Sequence, residues 1–90
     1  MNHTAAIVTG GNRGVGEGIC YALASKGYDI FMAHCGEVDK AAHVAQQLRE
    51  KFGVRVVTFD CDQRERTIGE TLMTQALLAF PSISLVMCNA

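Results

Sequence analysis

An α/β chain with a doubly wound parallel sheet is the architecture this sequence predicts. Three observations carry the prediction. Short apolar runs alternate with longer segments of helical period, Gly or Pro stands at the joints, and every strand-like run after the first is reached through a helix. A crossover that contains a helix joins parallel strands and is nearly always right-handed, so such strands form an open sheet with helices on both faces.

Ala5-Ala6-Ile7-Val8-Thr9 is a continuous apolar run that ends in Gly10-Gly11-Asn12-Arg13-Gly14, as suits a strand buried on both faces and running into a glycine turn. From about Gly14, the spacing of Val15, Ile19, Ala22 and Leu23 sets one apolar helical face. Gly27 stands where a left-handed C-cap belongs, so this helix ends near Lys26. Asp29-Ile30-Phe31-Met32-Ala33 is the second strand. The second helix, 38–52, carries Ala41, Val44, Ala45, Leu48 and Phe52 on one stripe before Gly53. Val54-Arg55-Val56-Val57-Thr58-Phe59 is β-branched and aromatic, as a strand prefers, and Asp60-Cys61-Asp62 follows at its carboxyl end. Ile68, Leu72, Met73, Ala76, Leu77 and Phe80 trace a third helical stripe, stopped by Pro81. Ile83-Ser84-Leu85-Val86-Met87-Cys88 is the fourth strand.

A length of 90 residues allows one domain at most, and 49% hydrophobic residues with a single proline exclude disorder and low-complexity linkers. Eight Lys+Arg against nine Asp+Glu leave a net charge of −1, without the basic footprint that nucleic acid or an anionic membrane would require. Neither is expected as a partner. Cys20, Cys35, Cys61 and Cys88 include no C-x-x-C and no Cys/His pair at metal spacing, so neither a disulfide nor a zinc framework is expected. His3, His34 and His43 are too scattered for a metal site. Arg64, Glu65 and Arg66 read as a solvated turn, and Cys61 and Cys88 as packing residues rather than reactive thiols. The N-terminus lacks a basic stretch followed by an apolar one, and no run approaches the roughly 18 apolar residues of a membrane span. The reducing cytoplasm is the expected compartment.

In a doubly wound sheet, ligands bind beyond the carboxyl ends of the strands where strand order reverses, here between strands one and four. The segment Thr9 to Gly18 joins a strand to a helix, so its free N–H groups and the helix dipole converge on one place that suits a diphosphate. Gly10 allows the sharp turn, Gly14 the close approach of phosphate to backbone, and Gly16 the close packing of helix on sheet. A Walker loop from Gly11 to Gly16 would require Lys where Glu17 stands, and a G-x-G-x-x-G from Gly14 would require Gly where Ile19 stands.

What remains is T-G-x-x-x-G-x-G, and with it the sequence resembles the short-chain dehydrogenase/reductase family over its whole length. Asp60 matches the family's adenine-contacting aspartate, and Cys88-Asn89-Ala90 is similar to its Asn-Asn-Ala-Gly motif with the first Asn replaced and the Gly missing. The resemblance implies a Rossmann-type sheet of strand order 3-2-1-4. It also implies a cofactor site drawn from Gly10, Gly11, Asn12, Arg13, Gly14, Val15, Gly16, His34, Cys35, Asp60, Cys61, Asn89 and Ala90. Read without the family, the glycines are ordinary turn residues, and Asp60 and Asn89 cap a turn or helix.

Family members that select NAD hold the ribose with an acidic residue 18 positions after the last glycine of the turn, where this chain has His34. Members that select NADP often place a basic residue just before the middle glycine, and Arg13 stands there, able to pair with a 2′-phosphate. NADP(H) is therefore favoured over NAD(H). Against it stands Cys35, where many NADP-dependent relatives carry a second Arg, and His34 would help only when protonated.

The family's catalytic Tyr, the Lys four residues after it and the Ser would all lie beyond residue 90. Tyr21 is followed at that spacing by Ser25 and Tyr28 by Met32, so neither tyrosine substitutes, and no catalytic residue is assigned within the chain. The expectation is a single partial NAD(P)-binding domain over 1–90, truncated after the fourth strand and inactive alone. It would be the N-terminal portion of a homo-oligomeric oxidoreductase that reduces a small carbonyl or oxidises an alcohol. The alternative is a non-catalytic nucleotide-binding or assembly module that ends naturally at residue 90.

Overall fold

A computed structural model of the chain describes residues 4–10, 14–60 and 68–87. The elements alternate as β1 (Ala5–Thr9), α1 (Gly14–Ser25), β2 (Asp29–His34), α2 (Val38–Phe52), β3 (Val56–Asp60), α3 (Ile68–Ala79) and β4 (Ile83–Met87). All strand pairs are parallel, and the order across the sheet is β3-β2-β1-β4, the expected doubly wound arrangement.

Ala5, Ala6, Ile7 and Val8 of β1 and every residue of β2 are buried, as central strands covered on both faces must be. Because side chains alternate across a strand, the two faces hold separate clusters. On one, Ala6, Val8, Ile30, Met32 and Val56 pack with Cys20 and Ala24 of α1 and Ala41, Val44, Ala45 and Leu48 of α2. On the other, Ala5, Ile7, Phe31 and Ala33 pack with Leu72 and Ala76 of α3 and with Phe80.

The limits of β3 differ from the sequence expectation. The strand begins at Val56 rather than Val54 and runs through Asp60, because the ladder to β2 pairs Ile30 with Val56 and His34 with Asp60. Arg55 instead engages the buried carboxylate of Asp29, which accepts its backbone N–H at 2.9 Å and its guanidinium at 3.1 and 3.3 Å. The same guanidinium lies 5.2 Å from the Phe80 ring centroid, so one charged pair ties the amino end of β2 to β3 and to the end of α3.

The face of α1 also differs. Gly16, Cys20 and Ala24 are its buried line, whereas Val15 is 72% exposed, Ala22 is exposed, and Ile19 and Leu23 are only partly buried. A line of small residues at i, i+4 and i+8 lets the helix axis approach the sheet closely, and the larger side chains flank that contact. Its C-terminus is a Schellman turn: Gly27 adopts φ 92°, its N–H donates to the Ala24 carbonyl at 2.9 Å, and the Tyr28 N–H donates to the Leu23 carbonyl at 3.1 Å. Gly53 ends α2 with φ 70°.

On α3, Leu72 and Ala76 are buried, with Phe80 just beyond the helix, while Met73 (41%), Leu77 (48%) and Leu78 (76%) stay exposed. Val86 of β4 pairs with Ile7, therefore lies on the same face as α3, and is also open to solvent. Among the described residues β4 pairs only with β1, so an apolar strand edge and an apolar helix flank are exposed together. The 90-residue chain is expected to self-associate, its mass in sedimentation equilibrium rising with concentration and an apolar dye gaining fluorescence. A dye-silent monomer throughout the series would overturn this.

Candidate functional site

The carboxyl tips of β1, β2 and β3 lie side by side at one end of the sheet. At the β1 tip the Gly10 N–H donates to the Ala33 carbonyl at 2.7 Å, which carries the β1–β2 pairing one residue past Thr9. Gly10 then turns with φ 68°, a conformation that glycine adopts without steric cost. Gly14 opens α1 with φ 37°, and a Cβ built on it would meet nothing within 4 Å beyond its chain neighbours and its own helix's backbone, so open space lies where its side chain would project. The first N–H groups of a helix have no intrahelical partner and carry its positive end, so this space faces hydrogen-bond donors. Exposed Val15 borders it, and buried Gly16 holds the first turn against the core. Burial, and secondarily the charge of Glu17, pushes the Cys20 thiol up to about 12, which marks it as a protonated packing residue rather than a nucleophile.

At the β2 tip, His34 is 2% exposed and its ring turns inward, with Nδ1 2.7 Å from the Gly36 carbonyl oxygen. That geometry has the Nδ1–H donate to the carbonyl. Gly36 (φ 70°) and Glu37 (φ 50°) are successive left-handed residues, and the turn releases the chain into α2. From the β3 tip, Asp60 Oδ1 accepts the Gly36 N–H at 2.9 Å and lies 3.9 Å from His34 Nδ1. Cys35 is exposed at this corner.

The structure thus gathers His34, Cys35 and Asp60 around one turn and sets Gly10, Gly14, Val15 and Gly16 at the neighbouring strand tip. Gly11, Asn12, Arg13, Cys61, Asn89 and Ala90, like Cys88, lie outside the described residues. Gly36 is the participant that sequence patterns do not single out. Its signal was a glycine two residues after a strand end, where a left-handed turn is common. Among the described residues, no group of three or more His, Cys, Asp or Glu could hold a metal ion, and no helix is long and apolar enough to cross a membrane.

Known proteins share this chain's sequence pattern and fold. The chain is 28% identical over 86 residues to a 3-oxoacyl-(acyl-carrier-protein) reductase of Staphylococcus epidermidis, covering 96% of the chain. It spans only 35% of that relative's length. The structure superposes with a TM-score of 0.87 on a Brucella melitensis 3-oxoacyl-(acyl-carrier-protein) reductase in complex with NAD, at 33% identity, over the whole chain and 34% of the other. An L-sorbose reductase from Gluconobacter frateurii, complexed with NADPH and L-sorbose, superposes with a TM-score of 0.88 at 27% identity, over the whole chain and 34% of the other. The sequence pattern that defines the short chain dehydrogenases matches residues 4–90, nearly the full length. With that match and a glycine turn at the expected strand tip, this chain belongs to the short-chain dehydrogenase family.

Proposed function

We propose that this chain supplies the dinucleotide-binding portion of an NAD(P)(H)-dependent oxidoreductase that moves hydride between a nicotinamide and a small carbonyl or alcohol, with NADP(H) favoured over NAD(H). The observation that carries the reading is Gly14. It has a positive φ and open space where a side chain would project, and it stands at the N-terminus of α1 beside the β1 tip. A diphosphate fits there because it can approach the backbone unobstructed and accept from the unpartnered N–H groups of the helix. When bound, the dinucleotide supplies the hydride donor or acceptor. The chain's residues bind and orient it: α1 holds the diphosphate, buried Gly16 keeps that helix on the sheet, and the corner at His34, Cys35 and Asp60 meets the adenosine end.

The Brucella reductase was solved with NAD and the Gluconobacter reductase with NADPH, which supports a dinucleotide but divides on which one. The NADP preference rests on Arg13 and on His34 standing where a ribose-holding carboxylate would be. Gly11, Asn12, Cys61, Asn89 and Ala90 complete the proposed pocket. The relatives' greater length leaves room for the proton donor and the substrate pocket, and we assign no catalytic residue to this chain. The proposed setting is the cytoplasm, where free thiols such as Cys20 and Cys35 persist, with the enzyme a homo-oligomer and with neither nucleic acid nor membrane as partner.

The test is calorimetric titration with adenosine 2′,5′-bisphosphate and with 5′-AMP. A charge-assisted bond to phosphate contributes about 1.5–3 kcal/mol, so the 2′-phosphorylated ligand should bind roughly ten- to a hundredfold tighter, and Arg13→Ala should erase most of the difference. Equal affinities in the parent chain would dispose of the NADP preference, and binding of neither ligand would dispose of the dinucleotide reading. A preference that survives Arg13→Ala would assign the 2′-phosphate to another residue.

A further inference from the structure

We propose that the flank of α3 beside β4 is an interface on which two copies of this chain pair about a two-fold axis, α3 against α3; the proposal is independent of the dinucleotide reading above. Every Lys, Arg, His, Asp and Glu of the chain stands at or before Glu70, so residues 71–90, which hold most of α3 and all of β4, carry none of them. Helix α2 shows what a water-facing helix of this chain looks like: Asp39, Lys40, Arg49, Glu50 and Lys51 all lie on its exposed side. On the exposed side of α3 beyond Glu70 stand Met73, Thr74, Gln75, Leu77 and Leu78. That side is uncharged and largely apolar, as a surface made for contact is.

The turn of the helix sorts these positions. Leu72 and Ala76 face the sheet, so Met73 and Leu77, each about 100° further round, share one flank, and Leu78 lies on the side away from the sheet. In a right-handed crossover from β3 to β4 that flank is the one toward β4. It stands beside Val86, which lies on the α3 face of the sheet through its pairing with Ile7. Among the described residues the result is an open step, with Val86 as its floor and Met73 and Leu77 as its wall. A second copy fits it. Two such uncharged flanks bring no like charges together, whereas a charged partner would lose hydration there without gaining an opposite charge. About an axis parallel to the strands, Leu77 of each copy meets Leu77 of the other, and Leu78 of each comes onto Val86 of the other. One patch then serves as both halves of a closed contact. With only four apolar side chains from each copy the interface is small, and its dissociation constant is expected in the micromolar range.

Sedimentation velocity of the 90-residue chain across the micromolar range tests this, with circular dichroism confirming that each variant is folded. The parent should pass from monomer to dimer and stop there. Leu77→Glu and Leu77→Lys each set two like charges at the axis, and each is expected to weaken the dimer at least about tenfold. Mixed in equal amounts they set opposite charges there, and the dimer should return to within about threefold of the parent. Leu78→Lys, at a position 76% exposed that the fold tolerates, should also weaken it, whereas Val38→Glu, exposed on α2, should leave it unchanged. A parent that stays monomeric would leave the flank to a different polypeptide, and assembly beyond the dimer would mean pairing through the β4 edge. Either result overturns the proposal, as does a dimer that persists in both Leu77 variants or a mixture of the two that stays monomeric.

Discussion

Phe31→Ala is expected to abolish cooperative folding of this chain. Phe31 is 1% exposed at the centre of the sheet, with Ile7 and Val57 as its register partners on the two sides. Its ring centroid lies 5.9 Å from that of Phe59, and it packs in the cluster formed with Leu72, Ala76 and Phe80. Among the described residues that cluster has seven buried members against twelve on the opposite face, and Phe31 is one of its two phenylalanines, so losing its ring empties a large share of it. Truncating a buried Phe typically costs about 3–5 kcal/mol, comparable to the whole stability of a small domain. Urea titration followed by circular dichroism should show a sigmoidal transition for the parent and a sloping, non-cooperative signal for the variant. A variant whose midpoint stays within a few tenths molar of the parent would show that α3 does not cover Phe31 as described.

Gly14→Asp is expected to remove dinucleotide binding while leaving the fold in place. The new Cβ would meet nothing within 4 Å beyond its chain neighbours and its own helix's backbone, so the main cost to the fold is the strain of a non-glycine residue at φ 37°, about 1–2 kcal/mol. The ligand meets both a Cβ where its diphosphate should lie and a like charge, a juxtaposition that costs several kcal/mol. The expected loss of affinity is at least about a hundredfold, or roughly 2.7 kcal/mol. Thermal denaturation and titration of the same sample separate the two effects. Retained affinity in a folded variant would place the diphosphate elsewhere and remove the main support for the proposed function.

The succession of strands and helices was legible along the chain because the evidence for it is local. Apolar runs such as Ala5–Thr9 declare a strand buried on both faces, Gly27 and Gly53 stop their helices with backbone that other residues adopt at a cost, and helical crossovers leave only parallel pairing. The glycines of the first turn were legible for the same reason, since their spacing is a property of one short segment. Apolar character did not reveal which face of α1 is buried: the line is Gly16, Cys20 and Ala24, chosen by how closely a helix can approach a sheet rather than by hydrophobicity. Nor did any pattern announce Asp29 with Arg55, or Asp60 with Gly36, pairs that are 26 and 24 residues apart. Such contacts exist because the β2–β3 register sets His34 opposite Asp60, and register belongs to two strands together rather than to either stretch of chain.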